Sequence, residues 1–436
     1  MASTTVYPAS EPERWTYLNR VRTRPGPLTK PDFSGEGIAA AMESMRILVI
    51  GAGGLGCEIL KNLALSGFKD IHVIDMDTID ISNLNRQFLF RQEDVGKSKA
   101  EVAARFVEKR VKGVKITPHN NRIQDFDEDF YMQFQLVVCG LDSIEARRWI
   151  NAMLVNMVDA EAEDSFKPLI DGGTEGFKGQ ARVILPTMTS CIECQLNMHA
   201  PRAAVPLCTL ASIPRQPEHC IEWAHVIAWD EAKPFPQLDK DDPEHVGWLY
   251  QKALTRAQEF GIPGVTYALT QGVIKNIIPA IASTNSVIAA ACCNEAVKMA
   301  SDSAPFLGQG LDNYMMYTGD DAIYTYTFSA ERKPDCPVCG QTARALPADP
   351  AWTLRELLDS LAALPEAQLR RPSVRAAGKT LYMQSPPSLE EQTRPNLDKT
   401  LAELGLDHGQ EVGVTDPAFA TVLFTFKLEF PKDKRQ

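Results

Sequence analysis

The feature that most constrains this chain is a six-residue turn, Gly51-Ala-Gly-Gly-Leu-Gly56. It follows the short apolar run Arg46-Ile-Leu-Val-Ile50. It precedes a segment whose apolar positions Ile59, Leu60, Leu63 and Ala64 recur with a helical period, with Gly67 as its expected cap. A β-branched run with no polar alternation reads as a parallel strand buried on both faces. The glycines let backbone approach a phosphate, and the following helix presents free N–H groups and the positive end of its dipole. The pattern G-x-G-x-x-G therefore predicts a strand–turn–helix that holds a nucleotide.

The chain continues in the same style. Ile71-His-Val-Ile-Asp75 and Leu136-Val-Val-Cys139 read as strands, and Ser98–Val111 and Ser143–Val158 as helices. Pro168–Asp171, Ala181–Leu185 and Ala322–Phe328 read as further strands. Strands alternating with helices predict a doubly wound, Rossmann-like α/β sheet, with ligands at the carboxyl ends of its strands. Asp75 ends the second strand, where an acidic side chain reaches a ribose hydroxyl. To this point a nicotinamide-dependent dehydrogenase fits equally well.

The following residues depart from that reading. Asp77, Asp80, Asn83, Asn85, Arg86 and Gln87 crowd the strand end, and Lys99 and Asp142 come after later elements. Acidic groups suit a ribose and a divalent cation, Asp142 being placed to hold Mg2+. Arg86 and Lys99 suit a triphosphate. Composition adds exclusions. Of 436 residues, 45 are Lys or Arg and 56 are Asp or Glu, giving a net charge of −11, which argues against a nucleic-acid binder. Val273–Met299 is the most apolar stretch, but it carries Lys275, Asn276, Pro279, Asn285, Asn294 and Glu295 and reads as a core helix or helix pair. The first residues lack a basic region followed by an apolar run, so an intracellular chain with reduced cysteines is expected.

Four of the ten cysteines form two C-x-x-C pairs, Cys191/Cys194 and Cys336/Cys339. Four thiolates suit tetrahedral Zn2+, although the gap between the pairs is long; a redox dithiol would need only one pair. Cys57, Cys139, Cys292 and Cys293 fall in apolar patterns and read as inert core thiols. Cys208 and Cys220 lie in a stretch marked by Pro201, Pro206, Pro214, Pro217, Pro234, Pro236 and Pro243 and by Trp223, Trp229 and Trp248. That stretch reads as an inserted, mostly helical domain. Cys208 stands among small residues near Arg215, an environment that favours a reactive thiolate, but the residues alone prefer it only modestly to Cys220.

Gly51–Gly56, Asp75-x-Asp77-Thr-Ile, Ser82-Asn-Leu-Asn-Arg-Gln87 and Lys99 together resemble the adenylation core of the ubiquitin-like-modifier activating enzymes. The likeness runs along nearly the whole chain. Within the family it points to the neddylation branch, through Asp171–Gly179, the Cys208-Thr…Pro214-Arg215 motif, Pro217–Glu222 and Asp242–His245. The resemblance implies an ATP site formed by Gly51, Gly53, Gly54, Gly56, Asp75, Asp77, Asn83, Arg86, Gln87, Lys99 and Asp142, with Ile123 and Gln124 beside adenine. It implies Cys208 as the thioester nucleophile, structural Zn2+ on the four paired cysteines, and Mg2+ on Asp142. Arg182, which alone would read as a solvated strand residue, would repel a modifier carrying Arg near its tail and accept one carrying Ala.

The implied organisation is an arm over 1–40 and an adenylation domain over 41–200 and 265–345. A catalytic-cysteine domain would span 201–264 and a C-terminal ubiquitin-fold (β-grasp, α+β) domain 348–436. In the last, Leu354–Leu361 and Leu397–Leu404 read as helices and Thr380–Met383, Glu411–Thr415 and Val422–Phe430 as strands. Implied partners are an inactive, pseudo-symmetric subunit supplying an Arg to the site, the modifier, and a conjugating enzyme docked on the C-terminal domain. The implied location is cytoplasm and nucleus. A sulfur-carrier adenylyltransferase and an inactive nucleotide-binding scaffold stay as alternatives.

Overall fold

The computed structural model describes residues 11–29, 31, 33–159, 161–198, 212, 214–235, 238–240, 242–274, 280–305, 312–340, 343–364, 367, 369, 371–376, 379–384, 387–417 and 423–431. Two compact units are present. One joins 1–199 with 280–436, and the other is 200–279.

The first unit is built on an eight-stranded sheet. Its strands are β1 (Arg46–Ile50), β2 (Asp70–Ile74), β3 (Lys115–His119), β4 (Leu136–Cys139), β5 (Leu169–Glu175), β6 (Lys178–Ile184), β7 (Tyr314–Thr318) and β8 (Tyr324–Phe328). They lie in the order β3-β2-β1-β4-β5-β6-β7-β8. The first five are parallel, as the alternation of strand and helix requires. Within β1, Ile47 and Val49 enter the core on one face while Leu48 and Ile50 enter the core on the other. That two-sided burial explains the unbroken apolar run.

The sheet stops being doubly wound after β5. Only Gly176 and Phe177 separate β5 from β6, too short a link for a crossover, so the pair is an antiparallel hairpin. β7 and β8 continue antiparallel. The helix Ala282–Ser301 packs on β5, β6 and the helix Gly54–Leu65. A short helix is expected around Trp15–Val21, and the N-terminal arm carries one. Its helix Glu11–Thr23 buries Trp15 in the main core, and Arg22 donates to the Ser66 carbonyl.

A second, five-stranded sheet comprises β9 (Arg344–Pro347), β10 (Ser373–Ala376), β11 (Lys379–Tyr382), β12 (Glu411–Thr415) and β13 (Phe424–Glu429), ordered β11-β10-β12-β13-β9. Its first and last strands are parallel neighbours, and the rest pair antiparallel. The helix Leu354–Ala362, capped by the Thr353/Glu356 box, sets Leu354, Leu357, Leu358 and Leu361 against Val412, Val414, Phe424, Phe426 and Leu428. The helix expected over Leu397–Leu404 does not form. Those residues make successive turns that still bury Leu397 and Leu401, and Gly405 closes them at φ +72°.

The second unit is helical. Pro217–Trp223, Trp229–Ala232, Pro243–Glu259 and Tyr267–Ile274 share one core of Cys220, Ile221, Trp229, Val246, Leu249 and Ile274. The last of these helices packs on the first and third, so this unit extends beyond residue 264. Among the described residues no helix is long and apolar enough to cross a membrane.

The glycine turn carries the tightest backbone contacts at the centre of the sheet. A Cβ on Gly56 would stand 1.9 Å from the Gly51 carbonyl oxygen, and one on Gly51, at φ +99°, 2.7 Å from that of Gly140. Neither backbone oxygen can yield without parting strand from helix. Gly56→Ala is expected to cost about 2–3 kcal/mol of stability by overpacking, read as a shifted urea midpoint; an unchanged midpoint would refute the contact.

Candidate active site

The carboxyl ends of β1, β2 and β4 meet at the glycine turn, on either side of the point where the strand order reverses. Gly51 N–H donates to the Ile74 carbonyl at 2.8 Å and Gly140 N–H to that of Ile50 at 2.9 Å. The helix Gly54–Leu65 then starts with no side-chain cap, so its first N–H groups are left for a ligand.

Asp75 lies one residue past β2. Its carboxylate accepts from Ala52 N–H at 2.6 Å and Asp77 N–H at 2.8 Å. Burial raises its pKa, against the opposing pull of Lys99 and those two N–H groups. Lys99 opens the helix Lys99–Arg110, which Ser98 caps. Its ammonium is buried and pairs with the exposed Asp77 carboxylate at 2.7 Å. The Asp80/Asn83 capping box folds the short turn Ile81–Asn83 that carries Arg86 and Gln87 back to the glycines. Arg86 donates to the Ser82 carbonyl and to Asn85, both at 3.1 Å. Gln87 is buried beside Gly53, and its Oε1 has no hydrogen-bond partner among the described residues.

Asp142 follows β4 and is exposed. Among the described residues nothing hydrogen-bonds to its carboxylate, which leaves a hard oxygen ligand open to a divalent cation. Ile123 and Gln124 lie in a short turn past β3. Ile123 is buried and receives the Tyr131 hydroxyl at its carbonyl, whereas Gln124 is exposed.

Arg182 departs from the solvated reading: it is 1% exposed. Asp171 stands opposite it in the β5–β6 register and accepts from its Nε and Nη2 at 3.0 and 2.9 Å. Gln195 takes its Nη1 at 3.0 Å. Arg147 reaches the other Asp171 oxygen at 3.0 Å and also donates to the carbonyls of Leu141 and Gly172. Burial alone would push the Asp171 carboxyl up, but Arg147 and Arg182 more than offset it and hold it below the ordinary range.

The four paired cysteines come together, all buried, with their sulfurs within 4.8 Å of one another. Cys191 is 3.9 Å from Cys194 and 3.6 Å from Cys336, and Cys194 is 3.4 Å from Cys339. Ligands at about 2.3 Å in a tetrahedron stand about 3.8 Å apart, so the cluster fits a single metal ion. Lys333 N–H donates to Cys194 Sγ at 3.4 Å, which favours the thiolate. Cys208 lies outside the described residues. Cys220 is fully buried in the core of the helical unit, and burial pushes its thiol up.

Residues 28–338 match the model of the ThiF family, and residues 347–430 match the E2 binding domain. The NEDD8-activating enzyme E1 catalytic subunit of Dictyostelium discoideum is 53% identical over 93% of this chain and 94% of its own length. Its counterpart in Drosophila melanogaster is 50% identical over 97% and 96%, and that in Arabidopsis thaliana 49% over 93% and 89%. The chain belongs to the family of NEDD8-activating enzyme E1 catalytic subunits. It is thus an enzyme of the ubiquitin-like-modifier activating class, with an ATP-using ThiF domain and a C-terminal domain that binds conjugating enzymes.

Asp171 and Arg147 join the site although no sequence pattern assigns them to it. Arg147 ties the buried carboxylate to Leu141, the residue before Asp142. Asp171 ends an apolar strand and opens the Asp171–Gly179 motif, but neither feature names its partner. Replacing Asp171 with Asn leaves two buried guanidiniums short of their shared counter-ion, a loss of about 3–5 kcal/mol at neutral pH. Because the folded carboxyl is depressed, its contribution is present above its unfolded pKa and fades as pH falls through the folded value. The gap between wild type and Asp171→Asn should therefore narrow below about pH 4. Denaturant melts of both proteins at several pH values check this; a pH-independent gap would contradict the ion pair.

Proposed function

We propose that this chain activates the modifier NEDD8 in two chemical steps and one transfer. The modifier's C-terminal carboxylate oxygen attacks the α-phosphorus of ATP, and pyrophosphate leaves as the acyl adenylate forms. The Cys208 thiolate then attacks the acyl carbonyl, the acyl–phosphate bond breaks, and AMP departs with the electron pair. Last, the thioester passes to a cysteine of a conjugating enzyme held by the domain at 347–430. The observation that carries this reading is the convergence of an uncapped helix start with Asp75, Asp77, Arg86, Gln87, Lys99 and Asp142 on one sheet edge, in a chain that also has an E2 binding domain. A sulfur-carrier adenylyltransferase has no use for that domain, and a scaffold has no use for those charges.

The residues divide the work. Asp75 anchors the turn and offers its carboxylate to the ribose, with Ile123 and Gln124 beside the base. Lys99 and Arg86 oppose the charge that grows on the phosphates, where fixed charge lowers a barrier most. Asp142 would hold Mg2+, which shields the phosphate oxygens when bound. The four-cysteine cluster would hold structural Zn2+, joining the chain near 191 to that near 336. Arg147 and Arg182 share the Asp171 carboxylate, which holds both guanidiniums in place on the β5–β6 hairpin. Arg182 would be the element that disfavours a modifier with Arg near its tail, by like charge. An inactive, similar subunit would complete the site with an Arg in a heterodimer working in cytoplasm and nucleus.

With that partner present, Asp142→Ala is expected to abolish modifier-dependent ATP–pyrophosphate exchange. Cys208→Ala should keep the exchange and lose the thiol-sensitive adduct seen on a non-reducing gel. Exchange that survives Asp142→Ala would sink the cation assignment, and an adduct that survives Cys208→Ala would sink the nucleophile. Metal analysis should find one zinc per chain, lost in Cys194→Ser.

A further inference from the structure

The pattern G-x-G-x-x-G asks for glycine at 51, 53 and 56, yet residue 54 is glycine too. Backbone conformation does not require it, since Gly54 is not among the glycines at positive φ. The reason is Asn285. A Cβ on Gly54 would stand 2.4 Å from Asn285 Nδ2 and 3.5 Å from Arg86 Cγ. Asn285 sits in the first turn of the helix Ala282–Ser301 and is 2% exposed. Its Oδ1 accepts from the Thr174 hydroxyl at 2.7 Å, and Thr174 belongs to β5. The carboxamide is therefore turned so that its N–H2 faces the start of the helix Gly54–Leu65. Among the described residues no acceptor receives that group.

The unpaired N–H2 of a buried side chain thus faces a helix start that itself presents donors, with Arg86 on the same side. Donors facing donors are satisfied only by an acceptor that comes between them, and a full complement of such donors selects an oxyanion. We propose that Asn285 is a nucleotide-binding residue whose carboxamide N–H donates to a phosphate oxygen of ATP. Thr174 acts through it as a positioning residue that fixes which end of the carboxamide faces the turn. The inference rests on the adenylation reading of this site and adds a donor contributed by the helix that follows the inserted unit.

The test uses the full chain with its partner subunit and has two readouts: ATP affinity by equilibrium dialysis, and KM and kcat in modifier-dependent ATP–pyrophosphate exchange. A hydrogen bond to a charged oxygen predicts about a tenfold or greater weakening of ATP binding in Asn285→Ala. Asn285→Asp should be weaker still, because it sets a carboxylate against phosphate. Thr174→Val should behave like a milder Asn285→Ala, while Thr174→Ser restores wild-type binding. The KM for the modifier should stay as in wild type. Thermal melting of each variant separates misfolding from lost contact. ATP affinity in Asn285→Asp equal to wild type would overturn the proposal, since the facing atom would then serve as an acceptor for the helix. A rise confined to the KM for the modifier would overturn it in favour of the modifier's carboxylate. Wild type that binds ATP but exchanges no pyrophosphate would overturn the function reading, and the dialysis series would still decide the role of Asn285.

Discussion

One buried carboxylate, Asp171, fixes the geometry on which the rest of the nucleotide edge depends. It sits on β5, where the sheet changes from parallel to antiparallel. It takes Arg182 from β6 and Arg147 from the helix Ile144–Asn156. Through Arg147 it also holds the Leu141 carbonyl, and hence the turn that carries Asp142. Isolated, a carboxylate at 1% exposure would take up a proton; two guanidiniums keep it charged. An ion pair this deep adds little net stability over apolar packing of the same volume. What it supplies is registration: it penalises any arrangement in which the strand hairpin, the helix and the Asp142 turn part company.

The two kinds of contact at the site have different reach. The glycine turn is set by backbone against backbone, with no space for a single carbon between Gly56 and the Gly51 oxygen. The side chains around it are set by paired charge: Lys99 with Asp77, and Asp75 with two N–H groups. Steric exclusion makes the turn rigid without a ligand. The pairs are exchangeable, since the ammonium of Lys99 can trade an exposed carboxylate for a phosphate at small cost. A rigid cradle with exchangeable charges is the arrangement that holds a triphosphate firmly and can still release AMP and pyrophosphate.

How much of this could be read in the chain depends on whether the cause was local. β1 and β4 are apolar runs buried on both faces, and β2 keeps Ile71, Val73 and Ile74 buried around a half-buried His72, so these strands announce themselves. The glycine turn, Asp75, the Arg86–Gln87 segment and the two cysteine pairs are local too. β3 was missed because Lys115-Ile-Thr-Pro-His119 buries one residue well and carries Pro118 at the sheet's edge. The leucines at 397, 401 and 404 have helical spacing, but turns deliver Leu397 and Leu401 to the same core. The hidden part of the site is that whose partners are distant. Asp171 meets Arg147 across 24 positions and Thr174 meets Asn285 across 111. No period or motif encodes such meetings; they are made where two separate helices, Ile144–Asn156 and Ala282–Ser301, each bring a side chain to β5.

Arg147 and Arg148 show how neighbouring residues can serve separate ends of the fold. Successive residues on a helix point about 100° apart. Arg147 therefore turns to Asp171 and the nucleotide edge, while Arg148 turns away from it. Arg148 is fully buried, pairs with Glu193 between the two cysteines of the first knuckle, and donates to the Ala367 carbonyl at 3.1 Å. Its guanidinium also lies 5.8 Å from the centre of the Phe424 ring in the second sheet. One helix thus carries the adenylating edge on one side and holds both the cysteine cluster and the C-terminal domain on the other. With the knuckle closed, Glu193 is fixed beside Cys194 and Arg148 has a defined partner. A knuckle that opened would draw Glu193 away from the buried Arg148 guanidinium, a cost of several kcal/mol. Arg148 is thus the side chain through which the cysteine cluster and the second sheet share a contact.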